Sequence, residues 1–119
     1  MVTEADVREL ALSFPETSER PTYGTPGFRV KKKLFSRLRD DPHALVIWLE
    51  GEDEKEGLIE SEPEKFFTIP HYDGYAVVLV HLEAIGRDEL QDLLEESWLL
   101  NAPKRLAESF RTEHPDQSG

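Results

Sequence analysis

Phe28-Arg29-Val30-Lys31-Lys32-Lys33-Leu34-Phe35-Ser36-Arg37-Leu38-Arg39, followed after Asp40-Asp41-Pro42 by His43-Ala44-Leu45-Val46-Ile47-Trp48-Leu49, is the stretch that decides the fold of this chain. Phe28 and Val30 alternate with Arg29 and Lys31, and the alternation resumes from Leu34 to Arg39, which is the period of two of a half-buried strand. The spacing predicts a hairpin with a basic turn at Lys31-Lys32-Lys33. His43 to Leu49 is nearly all apolar, as a central strand covered on both faces is, and Asp40-Asp41-Pro42 supplies the turn before it. Three antiparallel strands follow from this stretch. On the second of them, strict alternation puts Phe35, Arg37 and Arg39 on one face and Leu34, Ser36 and Leu38 on the other.

Helices flank the strands. Thr3 with Asp6 three residues later reads as a capping box, and Val7, Leu10, Ala11 and Phe14 then follow the spacing of one buried helical stripe up to Pro15. Residues 15–27 hold Pro15, Pro21, Gly24, Pro26 and Gly27, a density of breakers that predicts an ordered loop. Glu50 to Glu56 reads as a solvated, charged face leading into a short helix, and Glu62-Pro63-Glu64 offers a second helix start before Phe66 and Phe67. Tyr75 to Val80 is a further strand. Leu90, Leu93, Leu94 and Trp98 mark an amphipathic helix that Asn101-Ala102-Pro103 interrupts, and Leu106, Ala107 and Phe110 give the last helix one apolar stripe. The expected architecture is α+β, an antiparallel sheet covered by helices in two layers, with one domain over residues 1–113 and a frayed tail over 114–119. Leu10, Phe14, Phe28, Ile47, Val78, Leu93, Trp98, Leu106 and Phe110 are expected to share its core.

Charge is distributed unevenly along this frame. Seven cations and no acid lie between Arg20 and Arg39, although the 119 residues carry 14 Lys and Arg against 25 Asp and Glu. The rest of the chain therefore holds seven cations against all 25 acids, a net of −18 under an overall charge of −11. The absence of cysteine removes disulfides, thiolate metal sites and cysteine nucleophiles from consideration. Met1 to Asp6 lacks the basic and apolar regions of a secretion signal and no apolar run has the length of a membrane span, so a cytoplasmic location without membrane contact is expected. His43, His71, His81 and His114 show no metal-ligand spacing, and neither a phosphate loop nor a nucleophile elbow is present. No catalytic residue, metal or organic cofactor is expected.

Four blocks carry a resemblance: Pro26-Gly-Phe-Arg-Val30 running into Lys33-Leu-Phe-Ser36, Lys65-Phe-Phe-Thr-Ile-Pro70, Gly74-Tyr-Ala-Val77, and Glu96-Ser-Trp-Leu-Leu-Asn-Ala-Pro-Lys-Arg-Leu106. In these the chain resembles the YjbR/MmcQ-like family of small bacterial proteins. The resemblance implies a two-layer domain of the type III secretion chaperone-like kind, a monomer, and a DNA-binding role attributed to a double-wing arrangement. At the hairpin turn Lys31-Lys32-Lys33 replaces the glycine-containing version, and glycine would have accepted a positive φ that lysine resists.

A basic ribbon of this kind suits phosphate contact, because each Lys or Arg head can displace a counterion from a nucleic acid backbone. Arg29, Lys31, Lys32, Lys33, Arg37 and Arg39 are the candidate contacts. Lys104 and Arg105, at a helix start after Ala102-Pro103, form a candidate second patch. DNA or another polyanion is thus one expected partner. A protein partner bound by a chaperone-like adaptor is the alternative, and a small-molecule pocket between the Tyr23 loop, His71 to Asp73 and Trp98 is a third.

Overall fold

A computed structural model describes residues 1–114 of the chain. The elements run α1 (Glu4–Leu12), β1 (Thr17–Thr22), β2 (Thr25–Val30), β3 (Lys33–Asp40), β4 (His43–Trp48), α2 (Glu52–Ser61), β5 (Phe66–Phe67), β6 (Val77–Val80), α3 (Arg87–Asn101) and α4 (Lys104–Glu113), with one 3-10 turn at Pro70–Tyr72. The strands form one antiparallel sheet in the order β1-β2-β3-β4-β6-β5. The fold is α+β, as the period changes along the chain predict.

Helix α1 begins where the sequence says it should. The Thr3 hydroxyl accepts from the Asp6 amide at 3.1 Å while the Thr3 amide donates to the Asp6 carboxylate at 3.0 Å, which satisfies two of the free donors of the first turn. These bonds, and Arg87 at 2.9 Å, hold the Asp6 carboxyl below the usual carboxylate range. Arg87 also reaches Glu9, tying α1 to α3.

The inner face of the sheet packs against α1, α3 and α4. Seven of the nine expected core residues are buried in this one cluster, and Leu93 and Leu106 are half-buried against it. Trp98 fills its centre, 4.9 Å from Phe110 and 6.0 Å from Phe14 between ring centroids. Its indole N–H donates to the Pro15 carbonyl and the Thr17 hydroxyl, each at 3.1 Å, so the one polar atom of the side chain is satisfied.

Two readings of the sequence are corrected. The breaker-rich segment 15–27 is not a loop but most of a hairpin, β1 and β2, whose register pairs Pro21 with Pro26 next to the turn. Proline is tolerated there because β1 is the sheet edge. Gly27 is required on β2, since a Cβ would lie 2.3 Å from the Thr22 hydroxyl. The stretch after Glu62 does not start a second helix; it turns and enters β5.

Alternation on β3 also breaks once. Phe28 pairs with Ser36 and Arg29 with Leu34, which leaves Phe35 as an extra residue, a β-bulge. The bulge turns Phe35 into the helix-side core beside Ser36 and Leu38, and the Ser97 hydroxyl of α3 donates to the Phe35 carbonyl at 2.7 Å. Arg37 and Arg39 remain together on the opposite face.

That outer face is divided. Over β4 and β6, Ala44, Val46, Val77 and Leu79 form a second apolar cluster roofed by Trp48, Phe67, Ile69 and Tyr72. Over β1 to β3 it carries arginines. His114 closes α4, its amide donating to the Phe110 carbonyl at 3.0 Å, and residues 115–119 of the expected tail lie outside the described residues.

Candidate nucleic-acid interface

The β2–β3 turn consists of Lys31 and Lys32. Lys31 adopts φ +57°, the left-handed conformation that costs an L side chain about 1 kcal/mol. Two contacts offset it. The Lys31 amide donates to the Glu16 carbonyl at 2.9 Å and its ammonium lies 3.3 Å from the Glu16 carboxylate. Arg29 then clasps the turn from β2, donating to the Lys32 carbonyl at 3.2 Å. The turn is therefore braced from both sides without glycine, and Lys32 and Lys33 are left exposed with no carboxylate within 4.0 Å among the described residues.

The corner that precedes the second candidate patch borders the same turn. A groove of about 900 Å³ is lined by Arg20, Val30 and Lys31 to Lys33 on the hairpin side and by Asn101, Ala102 and Pro103 from the corner between α3 and α4. Lys104 and Arg105 follow Pro103 directly and are exposed on the first turn of α4, where free backbone N–H groups and the helix dipole add to their charge. Around the hairpin, a smaller groove of about 360 Å³ joins Arg20, Pro21, Arg29, Lys31 and Lys32. Arg20 lines both grooves; its place in the acid-free segment is its signal in the sequence, which the prolines and glycines around it obscure.

Arg37 and Arg39 sit elsewhere, on the outer sheet face behind the turn. Arg39 donates to the Asp41 carbonyl at 2.7 Å. Arg37 is only 9% exposed, and its guanidinium lies 5.2 Å from the centre of the Tyr23 ring. The expected small-molecule pocket does not form: Trp98 is fully buried on the helix side, whereas Tyr72 packs on the outer face and Tyr23 stands at the β1–β2 turn.

Of the seven cations between Arg20 and Arg39, Lys31 alone has an acidic partner among the described residues. Acids gather on α3. Glu89, Asp92, Glu95 and Glu96 line an acidic groove on α3, and Lys65 bridges Glu62 and Glu89 at 2.8 Å each, hydrogen bonds that raise its pKa. Partial desolvation, with the hydrogen bond and like charge of Glu54, pushes the Glu96 carboxyl up to about 7 from the ordinary 4.5. The folded state then holds this proton more tightly than the unfolded chain does, so stability falls as pH rises from about 4.5 through 7 and the penalty is complete above 7. Because Glu96 is exposed, screening limits the effect to about 1 kcal/mol. Glu96→Gln is expected to raise the thermal midpoint by about 4 °C at pH 8 and to leave it unchanged at pH 4; an equal shift at both pH values would refute the assignment.

A match to the YjbR family model extends over residues 12–100. The chain is 33% identical to the uncharacterised protein Mb2600 of Mycobacterium bovis and to the uncharacterised protein Rv2570 of Mycobacterium tuberculosis, in each case over 92% of this chain and 96% of the relative. Its fold is similar to the crystal structure of Deinococcus radiodurans protein DR2400, a DUF419 domain, with a TM-score of 0.73 and 25% identity over 95% of this chain and 88% of that one. With the matched region running from the end of α1 to the end of α3, and so containing every strand and the basic hairpin, the chain belongs to the YjbR family.

Proposed function

We propose that this protein binds nucleic acid, or another polyanion of similar charge spacing, through the β2–β3 turn and the start of α4. One observation carries the reading: among the described residues six of the seven cations of a single segment have no acidic partner, in a protein whose acids outnumber its bases 25 to 14, and the turn that bears Lys32 shares a groove with the α3–α4 corner. Charges intended only for solubility would be interspersed with the abundant acids. Acids farther from the patch than the Debye length of about 8 Å are largely screened at physiological salt. Binding is weak and driven by counterion release, in the range of roughly 10⁻⁴ to 10⁻⁶ M for duplex DNA.

The test is a salt titration. With Lys32, Lys33, Lys104 and Arg105 each neutralising one phosphate, log affinity falls with log salt at a slope of about −3.6. Replacing Lys32 and Lys33 together by Glu removes two contacts and adds two repulsions, and is expected to abolish measurable binding while changing stability by no more than about 0.5 kcal/mol per site. Undiminished binding by the folded double variant, or none by the parent at 20 mM salt, would end this reading. The groove floor formed by Val30, Ala102 and Pro103 is apolar, so an acidic peptide is the occupant to test next in that event.

A further inference from the structure

Tyr23 is the residue that the fold does not account for. With Gly24 at φ +83° it makes a two-residue turn in which Tyr23 itself takes φ +54°, a place where such turns favour asparagine because a bulky side chain resists the left-handed region. Its ring is 90% exposed, so burial does not repay the conformation. What the ring does touch is Arg37, whose guanidinium lies 5.2 Å from its centre.

Arg37 is equally unexplained. It is 91% buried by area, and no carboxylate or carbonyl of the described residues accepts from it. The Nε atoms of both Arg37 and Arg39 are shut off from solvent without an acceptor. A guanidinium nitrogen buried without an acceptor is costly. The register sets them in a series: Arg20, Gly27 and Arg37 lie in one row across β1, β2 and β3, Arg39 stands one step nearer the Tyr23 turn, and Arg29 one step nearer the Lys31 turn. The cations thus run along the outer face for the length of β2, about 20 Å for its six residues, and end at the Lys31–Lys32 turn.

We infer that this face is a track for single-stranded nucleic acid, with an unpaired base stacked on the free side of the Tyr23 ring, which Arg37 holds from beneath, and the phosphates of the next few nucleotides on Arg39, Arg20 and Arg29. A ring held from beneath by a cation and open above is a stacking platform, and a row of arginines beside it supplies the phosphate contacts that single-strand binders combine with stacking. Paired bases are not free to stack on Tyr23, so the track distinguishes single strands from duplex. The inference rests on the proposed polyanion reading and deepens it.

Fluorescence anisotropy with a labelled 12-mer oligothymidylate and a 12-base-pair duplex, at one low salt concentration, tests it. Tyr23→Ala is expected to weaken the single strand about tenfold and leave the duplex unchanged, while Tyr23→Phe, which keeps the ring, binds both as the parent does. Circular dichroism melts confirm folding of both variants. If Tyr23→Ala binds oligothymidylate as the parent does, or loses both ligands equally, the track is overturned, and loss of binding on reversing Lys32 and Lys33 still upholds the broader reading. If the parent binds neither ligand, both fall together.

Discussion

Val78→Asp is expected to abolish cooperative folding. Val78 lies on β6, paired with Ile47 of β4 and fully buried on the helix side of the sheet. All four residues of β6 are buried, because the helix-side core holds Val78 and Val80 on one face while Trp48, Phe67, Ile69 and Tyr72 roof the other. A carboxylate at position 78 meets no cation on that face and must either stay ionised in an apolar core or take up a proton, and it also leaves the space of the lost methyl groups unfilled. The combined cost is about 5 kcal/mol or more, comparable with the whole stability of a domain of this size. Circular dichroism should show no native melting transition at 25 °C and above. Val78→Ala, which lacks the charge, should remain folded with a loss of about 2 to 3 kcal/mol in urea titration. A parental melt for Val78→Asp would mean that position 78 is not enclosed in this core.

Lys55→Met is expected to lower stability by about 3 kcal/mol. Lys55 is 6% exposed in the middle of α2, and its ammonium donates to the Tyr72 carbonyl at 2.7 Å and the Tyr75 carbonyl at 3.0 Å. These bonds pin the end of the 3-10 turn and the residues after it to α2, and Tyr72 carries the side chain that roofs the outer apolar cluster. Hydrogen bonds with a charged partner contribute about 1.5 to 3 kcal/mol each, and methionine preserves the volume while removing both. Exposed Glu56→Gln on the next residue should change stability by less than about 0.5 kcal/mol. If urea unfolding places the two variants together, Lys55 does not hold the segment.

Lys55 also marks where reading a sequence reaches its limit. Among Glu50 to Glu56 it looks like one more solvated charge, and nothing within the helix distinguishes it; only the arrival of Tyr72 and Tyr75, about 20 residues later, encloses it. The same separation governs the site. The Lys31 turn and the Pro103 corner are legible as two basic patches, but their common groove depends on the sheet and α3 packing together.

What the sequence determined alone is local and periodic. The Thr3 and Asp6 capping box, the single stripes of α1, α3 and α4, the apolar run of β4, the basic hairpin turn and the α+β class all follow from spacing, because side-chain direction repeats with the backbone period. Tertiary structure decided what pairing across the chain decides. Segment 15–27, full of prolines and glycines, became β1 and part of β2 because β2 found a ladder with β3 and β1 one with β2. Phe35 left the arginine face through a bulge that strict alternation does not contain. Arg20 and Arg37 came into one row across Gly27, with Tyr23 against Arg37, because antiparallel register, unlike helix or strand period, is set by partners distant in sequence.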